Sequence, residues 1–314
     1  MAKLKRTMVL LVRLTAAFVA MLGAYLLSTM VMGGADVALT TQEASQAGAA
    51  LVYVSLATAL VLSYLIVRSP WRGWRLIGAV ALAQFGVETL MPQMETLYFN
   101  SALQLGTAEL VGLVAGGALR ALVFAPLAVL ILGKGRALGQ PKTREPATPV
   151  PGWAVRVAAL SALWVVVYFV FGYFVAWQWE ETRLYYTGAS TIKPFFNHFG
   201  DLFLKEDPLI VPFQLLRGAM WSALAALIVS AIRATRWESS LAVASTFAVL
   251  LALPLGLFPN PYMPPAVARS HFVETASSML LYGGIAGWAM HAGKAVPEIV
   301  GSHVGGRRGA VAGR

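Results

Sequence analysis

Residues 107–133 run TAELVGLVAGGALRALVFAPLAVLILG, an apolar stretch with a single arginine, Arg120, near its middle. An α-helix rises about 1.5 Å per residue, so about 20 apolar residues cross the hydrocarbon core of a bilayer, which is roughly 30 Å thick. This stretch is therefore long enough to cross a membrane. Seven further apolar segments predict the same structure, at about residues 8–32, 47–67, 76–98, 152–178, 208–232, 239–258 and 269–292.

The composition supports this class for the whole chain. Of 314 residues, 58% are hydrophobic and only 12% are charged, whereas soluble domains carry about 25% charged residues. The length leaves room for roughly eight passes and for no separate globular domain of ordinary size. We therefore expect an all-α, polytopic integral membrane bundle of about eight transmembrane helices, and we exclude a soluble enzyme.

The distribution of lysine and arginine predicts the orientation of the helices. Most of the 24 cations lie between alternate segments or at the termini, and the remaining connections keep only Arg183, Lys193, Lys205 and Arg269. Cytoplasmic loops carry such an excess of positive charge. Both termini are thus expected in the cytoplasm, in the inner membrane of a prokaryote. The net charge of +10 does not indicate nucleic acid, because the cations do not cluster on one face with base-reading side chains.

The chain divides into two parts of similar length. Residues 134–151 are rich in proline, glycine and charge, which is typical of a linker. We predict a cytoplasmic linker there, between a first four-helix half (1–133) and a second four-helix half (152–292), followed by a flexible cytoplasmic tail (293–314). A Leu-Arg pair occurs in each half, as Leu119-Arg120 and as Leu216-Arg217. This weak internal similarity leaves open whether the halves are a parallel repeat.

The longest outer connection, residues 180–207, contains a predicted amphipathic helix. Its apolar side chains share one side, and its polar ones lie opposite. The apolar side comprises Phe195, Phe196, Phe199, Leu202 and Phe203, and the polar side includes Asn197, His198 and Asp201. Either this segment rests on lipid headgroups, or it forms a lid over a site, with Asn197, His198 and Asp201 as lid candidates.

Charged residues inside the apolar segments carry the main functional prediction. Arg120 and Arg217 lie where a charge costs at least about 2.5 to 3.5 kcal/mol, so they need partners or water. We expect Glu88 and Glu274 as the matching acids, with Glu95 nearer the outer surface. Helical rise places these groups in one layer between the midplane and the outer surface. The predicted outward-facing cavity is lined by Gln84, Glu88, Glu95, Arg120, Gln214, Arg217, His271, Glu274 and Ser278.

The third segment shows the pattern most clearly. Gln84, Glu88 and Glu95 recur at spacings that place them in one stripe along a regular helix. Pro92 lies in the path of this stripe and cannot donate to the carbonyl of Glu88, which predicts a kink. Buried ion pairs that only fix helix register are the alternative to a binding site.

Two guanidinium groups in a cavity are suited to carboxylate or phosphate. We therefore expect the protein to bind, and to translocate, a small anionic or zwitterionic solute or a lipid headgroup. Glu88 would take up a proton when Arg120 moves away, which would couple transport to protons. The expected partners are membrane lipids and this ligand, while protein partners are left open.

Two other classes of function remain. An intramembrane enzyme acting on a lipid-linked substrate at the outer leaflet would use His271 as a base and Glu274 to orient it. The sequence contains no cysteine and no Gly-x-Ser-x-Gly elbow to support that enzyme. A non-catalytic accessory subunit of a membrane complex is the third class. No metal or cofactor is expected, because no His-Glu-x-x-His pattern is present.

Overall fold

The computed structural model describes residues 2–31, 40–135, 152–260 and 262–291. Every regular element within these ranges is helical, so the predicted all-α class is confirmed. Most of the predicted linker and the whole predicted tail 293–314 lie outside the described residues. The long helices are α1 (Ala2–Val31), α2 (Thr41–Arg68), α3 (residues 73–98), α4 (Thr107–Ile131), α5 (Trp153–Phe174), α6 (Ile210–Ala231), α7 (Arg236–Leu257) and α8 (Pro265–His291).

Six of these helices, α1, α2, α4, α5, α6 and α7, are long and apolar enough to cross a membrane. They indicate a multi-pass membrane protein. The other two, α3 and α8, are not in this group, and they carry the acids Glu88, Glu95 and Glu274. Short helices make up the remaining connections: Asn100–Leu103, Ala176–Gln178, Glu180–Thr187 and Phe195–Asp201.

Helix starts follow local sequence signals. Thr40 caps α2, because its side chain accepts a hydrogen bond from the backbone N–H of Glu43 while the Glu43 carboxylate accepts from the backbone of Thr40. Thr235 and Glu238 form the same capping box at the start of α7. Each box satisfies backbone donors that a helix start otherwise leaves free.

The helices pack closely where small residues meet. Contacts join α1 to α2 and α4, α5 to α6, and α8 to α5, α6 and α7. Gly218 of α6 lies against the backbone of Ser161 in α5, where a Cβ would come within 2.7 Å of the Ser161 Cα. Gly287 of α8 similarly approaches the carbonyl of Ser239 in α7. Small residues allow the helix backbones to approach this closely, and such close packing favours helix association in membranes.

Two helices are interrupted in the same way. A π-helical turn, Gly86–Leu90, divides α3 and is followed by Pro92. A second π-helical turn, Ala248–Ala252, divides α7 and is followed by Pro254. The break predicted at Pro92 thus takes the form of a π-helical turn, which accommodates the missing donor. The two π-helical turns contact each other, while α2 contacts α7 and α3 contacts α6.

The ends predicted to be cytoplasmic come together at one end of the bundle. Lys134 Nζ donates to the carbonyl of Ser69 at 2.7 Å, and the backbone N–H of Arg233 donates to the carbonyl of Arg68 at 2.9 Å. Arg68 also forms an ion pair with Glu238. We call this the basic end. Tyr98 and Asp207 are hydrogen-bonded to each other at the opposite end.

Candidate functional site

Glu88 and Arg120 form a buried ion pair between α3 and α4. Arg120 Nε lies 3.2 Å from Glu88 Oε1, and the two side chains are 11% and 3% exposed. Tyr25 of α1 and Gln84 of α3 both donate hydrogen bonds to the same carboxylate. Arg120 in turn lies over the Tyr25 ring at 4.3 Å and donates to Ser28 Oγ at 3.3 Å. We call Tyr25, Ser28, Gln84, Glu88 and Arg120 the Glu88 cluster.

The π-helical turn of α3 positions Glu88 within this cluster. Thr89 packs directly against Gly117 of α4, and Gly86 packs against Leu224 of α6, so a Cβ at either glycine would overlap its neighbour. The missing side chains therefore let α3 lie close to α4 and α6. Because α3 and α4 are this close, the Glu88 carboxylate reaches Arg120 inside the bundle.

Arg217 of α6 pairs with Glu95 rather than with the predicted Glu274. Its Nη2 lies 2.6 Å from Glu95 Oε2, and the two side chains are 2% and 36% exposed. Arg217 Nη1 also donates to Gln214 Oε1 at 3.1 Å, and Trp164 Nε1 donates to the same oxygen at 3.0 Å. The expected pairing of Arg217 with Glu274 is thus wrong, because α3 rather than α8 supplies the nearest acid.

The predicted single stripe on α3 is also interrupted. A π-helical turn adds one residue to a turn, which rotates the following side chains by about 100° relative to a regular α-helix. Glu88 lies in the turn and faces Arg120 of α4, whereas Glu95 lies beyond it and faces Arg217 of α6. The stripe therefore serves two ion pairs, which lie about 10 Å apart along the helix axis.

A third polar group lies beside Glu95. The Tyr186 hydroxyl is 3.0 Å from His271 Nε2, and His271 Nδ1 is 3.7 Å from Glu274 Oε2. Burial raises the pKa of Tyr186, and the negative charges of Glu95 and Glu274 raise it further. The charges of both ion pairs thus act on the Tyr186 hydroxyl, and we call Glu95, Gln214, Arg217, His271 and Glu274 the Glu95 cluster.

Ser278 and the lid candidates take other positions. Ser278 is buried and donates to the carbonyl of Thr275 in its own helix. Asp201 pairs with Lys193 at 2.9 Å and with Lys205 at 2.8 Å. Asn197 is exposed. His198 lies against the Trp177 ring, 5.2 Å between ring centres, and burial lowers its pKa.

The predicted amphipathic helix forms as Phe195–Asp201 and continues as the π-helical turn Leu202–Glu206. Phe199 is buried and packs against Phe169 and Tyr173 of α5. Phe196 was predicted on the same side but is 85% exposed, because it lies about 100° around the helix from Phe195. The segment is therefore held by protein contacts on one side only.

An aromatic bridge joins this segment to the Glu95 cluster. Trp177 contacts the His198 ring on one side and stacks on Tyr186 on the other, with ring centres 6.1 Å apart in the second case. Tyr186 then contacts His271. Of the lid candidates, His198 is thus the one connected to the cluster by these contacts.

Three aromatic residues that contact the site were not predicted from the sequence. Tyr25, Trp164 and Tyr186 bind Glu88, Gln214 and His271 respectively. Tyr25 and Ser28 are three residues apart in the largely apolar second half of α1, which is a signal that could have pointed to Tyr25. Trp164 and Tyr186 carry no such signal, since aromatic residues are abundant in membrane proteins.

No known protein family matches this chain, and no curated protein or solved structure matches it. Within the described ranges, no group of three or more histidine, aspartate or glutamate side chains is arranged to hold a metal ion. Function is therefore inferred from the geometry of the two clusters.

Proposed function

We propose that the protein crosses the membrane eight times, with α3 and α8 as the additional spans and both termini in the cytoplasm. The 27 residues of α8 reach about 40 Å, more than the roughly 30 Å core requires. Its polar side chains and those of α3 have partners inside the bundle, which lowers the cost of insertion. The positive-inside rule assigns the basic end to the cytoplasm, in the inner membrane of a prokaryote.

The contacts between helices support the two predicted four-helix halves, 1–133 and 152–292. The contact of α2 with α7 mirrors that of α6 with α3, and the π-helical turns of α3 and α7 meet each other. In this arrangement α3 and α7 are equivalent positions of the two halves, whereas the recurring Leu-Arg pair of the sequence would make α4 and α6 equivalent. If the halves form a parallel repeat in which α3 corresponds to α7, the axis that relates them would pass near the contact between the two π-helical turns.

The proposed function is binding and translocation of a small zwitterionic solute or a zwitterionic lipid headgroup, with the Glu95 cluster as the outward-facing site. One observation carries this proposal: Arg217 is 2% exposed, whereas the side chain of its partner Glu95 is 36% exposed. A second carboxylate, Glu274, lies beside His271 and completes the proposed site. A ligand ammonium group would bind between the two carboxylates. The ligand's anionic group would compete with Glu95 for the Arg217 guanidinium, which binds carboxylate and phosphate through paired donors.

This site favours a zwitterion over the simple anion that the two arginines suggested. In the Glu95 cluster, the side chains of Glu95, His271 and Glu274 are 36%, 24% and 14% exposed, whereas that of Arg217 is 2% exposed. An anion without an ammonium group would be repelled by the two more exposed carboxylates, and this like-charge approach is unfavourable.

The Glu88 cluster supplies the proposed coupling to protons. Three side chains, Tyr25, Gln84 and Arg120, contact the Glu88 carboxylate. If Arg120 moves away, desolvation favours protonation of Glu88. The π-helical turn at Gly86–Leu90 is a suitable point for such a movement, because the regular hydrogen-bond pattern is already broken there.

The first experiment measures binding by calorimetry on the purified full chain. The probes are glycine betaine and phosphoethanolamine, with acetate and tetramethylammonium as singly charged controls. We expect binding of a zwitterion that Glu274→Gln weakens at least about tenfold, because the ligand ammonium group loses one of the opposite charges beside it. Glu206→Gln, an exposed acid of the outer segment, is the matched control and should bind normally.

Uptake of the bound probe into proteoliposomes then tests translocation. Glu88→Gln should retain binding but lose uptake driven by a proton gradient. Equal binding of acetate and glycine betaine, or normal binding by Glu274→Gln, would refute the proposed site. Proton-driven uptake by Glu88→Gln at the normal rate would refute the coupling.

A second candidate function has one observation in its favour. His271 lies between the Tyr186 hydroxyl and the Glu274 carboxylate. A histidine between a hydroxyl and an orienting acid is the arrangement of a general base. An enzyme of this kind would act on a lipid-linked substrate at the outer leaflet. Incubation with a lipid extract should then yield a product detectable by mass spectrometry, and His271→Ala should abolish it.

A further inference from the structure

Several cations at the basic end face backbone carbonyl groups instead of acids. Lys134 Nζ donates to Ser69 O at 2.7 Å, Arg72 Nη1 to Gly133 O at 3.4 Å, and Arg13 Nη1 to Leu132 O at 3.5 Å. Carbonyl groups accept these hydrogen bonds but do not neutralise the charges. The positive charge at this end therefore remains largely uncompensated by these contacts.

The cations also repel one another. Partial burial lowers the pKa of Lys134, and the charges of Arg72 and Arg233 lower it further. Glu238 is the acid at this end among the residues that the structure describes, and it is already paired with Arg68. A bound anion would relieve this repulsion, because it would supply the negative charge that the described protein groups lack.

Two adjoining cavities open beside these cations. The larger one, about 520 Å³, is bordered by the cations Lys5, Arg6 and Arg13 and by apolar residues such as Val9 and Leu132. The smaller one, about 350 Å³, is bordered by Arg72, Arg233 and Ser69. Val67 and Lys134 line both cavities. Lys134 thus lies where a largely apolar space meets a strongly basic one.

We propose that these cavities bind an anionic phospholipid of the cytoplasmic leaflet, with its phosphate beside Lys134, Arg72 and Arg233. The glycerol and the upper acyl chain would lie against the apolar residues between α1 and α2. Basic pockets between helices at the cytoplasmic surface recognise lipid phosphates in this way. The apolar lining favours a lipid over free phosphate, which has no group to bury there. This site is separate from the Glu95 cluster and does not depend on the function proposed for it.

Native mass spectrometry of the full chain tests this proposal. The chain is mixed with equal amounts of phosphatidylglycerol and phosphatidylcholine, and the lipid retained after activation is counted. We expect preferential retention of phosphatidylglycerol, reduced about fivefold by each of Lys134→Gln and Arg72→Gln, as the contribution of one basic residue near a membrane predicts. Arg236→Gln is the matched control, because Arg236 lies at the same end but stacks on Trp288.

Three outcomes would overturn the proposal. The first is equal retention of the two lipids by the unaltered chain. The second is unchanged retention of phosphatidylglycerol by Arg72→Gln, which also decides the matter if Lys134→Gln does not fold. The third is an increase in thermal stability from inorganic phosphate alone as large as that from phosphatidylglycerol, which would assign the site to free phosphate.

Discussion

Arg217 is 2% exposed, yet the Glu95 carboxylate that neutralises it, 2.6 Å away, is 36% exposed. A charge in the interior of the bundle is thus balanced by one that water or a ligand can reach. The pair therefore combines a structural role, the neutralisation of a buried cation, with the accessibility that binding requires.

Glu95→Gln should destabilise the protein by about 2 to 3 kcal/mol, less than the 3 to 5 kcal/mol typical of fully buried pairs because Glu95 is partly exposed. The cause is the unpaired guanidinium of Arg217, which keeps its charge when its partner loses its own. Urea unfolding in detergent, followed by tryptophan fluorescence, measures the change. The double variant Glu95→Gln with Arg217→Met should recover part of the loss, and a single variant as stable as the parent would contradict this account.

Tyr25→Phe should cost about 1.5 to 3 kcal/mol, the range for a hydrogen bond to a charged group. The change removes a donor to the buried Glu88 carboxylate and leaves the ring under Arg120 in place. Tyr53→Phe, on the exposed surface of α2, is the control and should change stability little. Equal unfolding midpoints for the two variants would mean that the Tyr25 hydroxyl does not stabilise Glu88.

Gly218→Ala should destabilise the protein by about 1 to 3 kcal/mol, as overpacking of a close interface does. A Cβ at this position meets the backbone of Ser161, which cannot move without separating α5 from α6. Gly23→Ala in α1 is the opposite case, because nothing lies within 4 Å of its Cβ position. That variant should gain about 0.5 to 1 kcal/mol from helix propensity, and thermal unfolding of both variants side by side checks the contrast.

His198 should make the protein less stable in mild acid. Burial lowers its pKa below the ordinary value of 6.5, and nearby Lys193 lowers it as well, while Glu206 and Asp201 act in the opposite direction. Because the folded state binds the proton less readily than the unfolded state, stability is lost as the pH falls through 6.5 towards the lowered pKa. His198→Gln should reduce the difference in unfolding temperature between pH 7.5 and pH 5.5. An unchanged difference would show that other groups cause it.

Much of the fold could be predicted because its determinants are local. The apolar run of α4 and the capping pair Thr40–Glu43 each act within a few turns of one helix, as does the break at Pro92. The apolar segments thus predicted where the long helices begin and end to within about six residues. They could not predict which of the aromatic side chains of the outer helix would be buried, since the burial of Phe199 depends on how the segment lies on α5.

The sequence pointed to charged residues inside the bundle, but it could not give the partner of each one. The residue types indicated that Arg120 and Arg217 need acids at a similar depth, and both arginines have one. The π-helical turn between Glu88 and Glu95 rotates the second acid away from the first, and a regular helical projection does not include that rotation. The hydroxyl of Tyr25 is a further example, because its approach to Glu88 requires α1 and α3 to be neighbours.

By itself, the sequence determined the helical class, the apolar runs and the side on which the cations gather, because solubility in lipid and charge at helix ends are properties of each segment alone. Only the tertiary structure decided that Glu95 neutralises Arg217, that Glu274 joins His271 and Tyr186, and that the basic end encloses cavities. The physical reason is that the partner of each charged side chain depends on which helices are neighbours and on how each helix is rotated. Close packing at glycines determines the neighbours, and the extra residue of a π-helical turn changes the rotation.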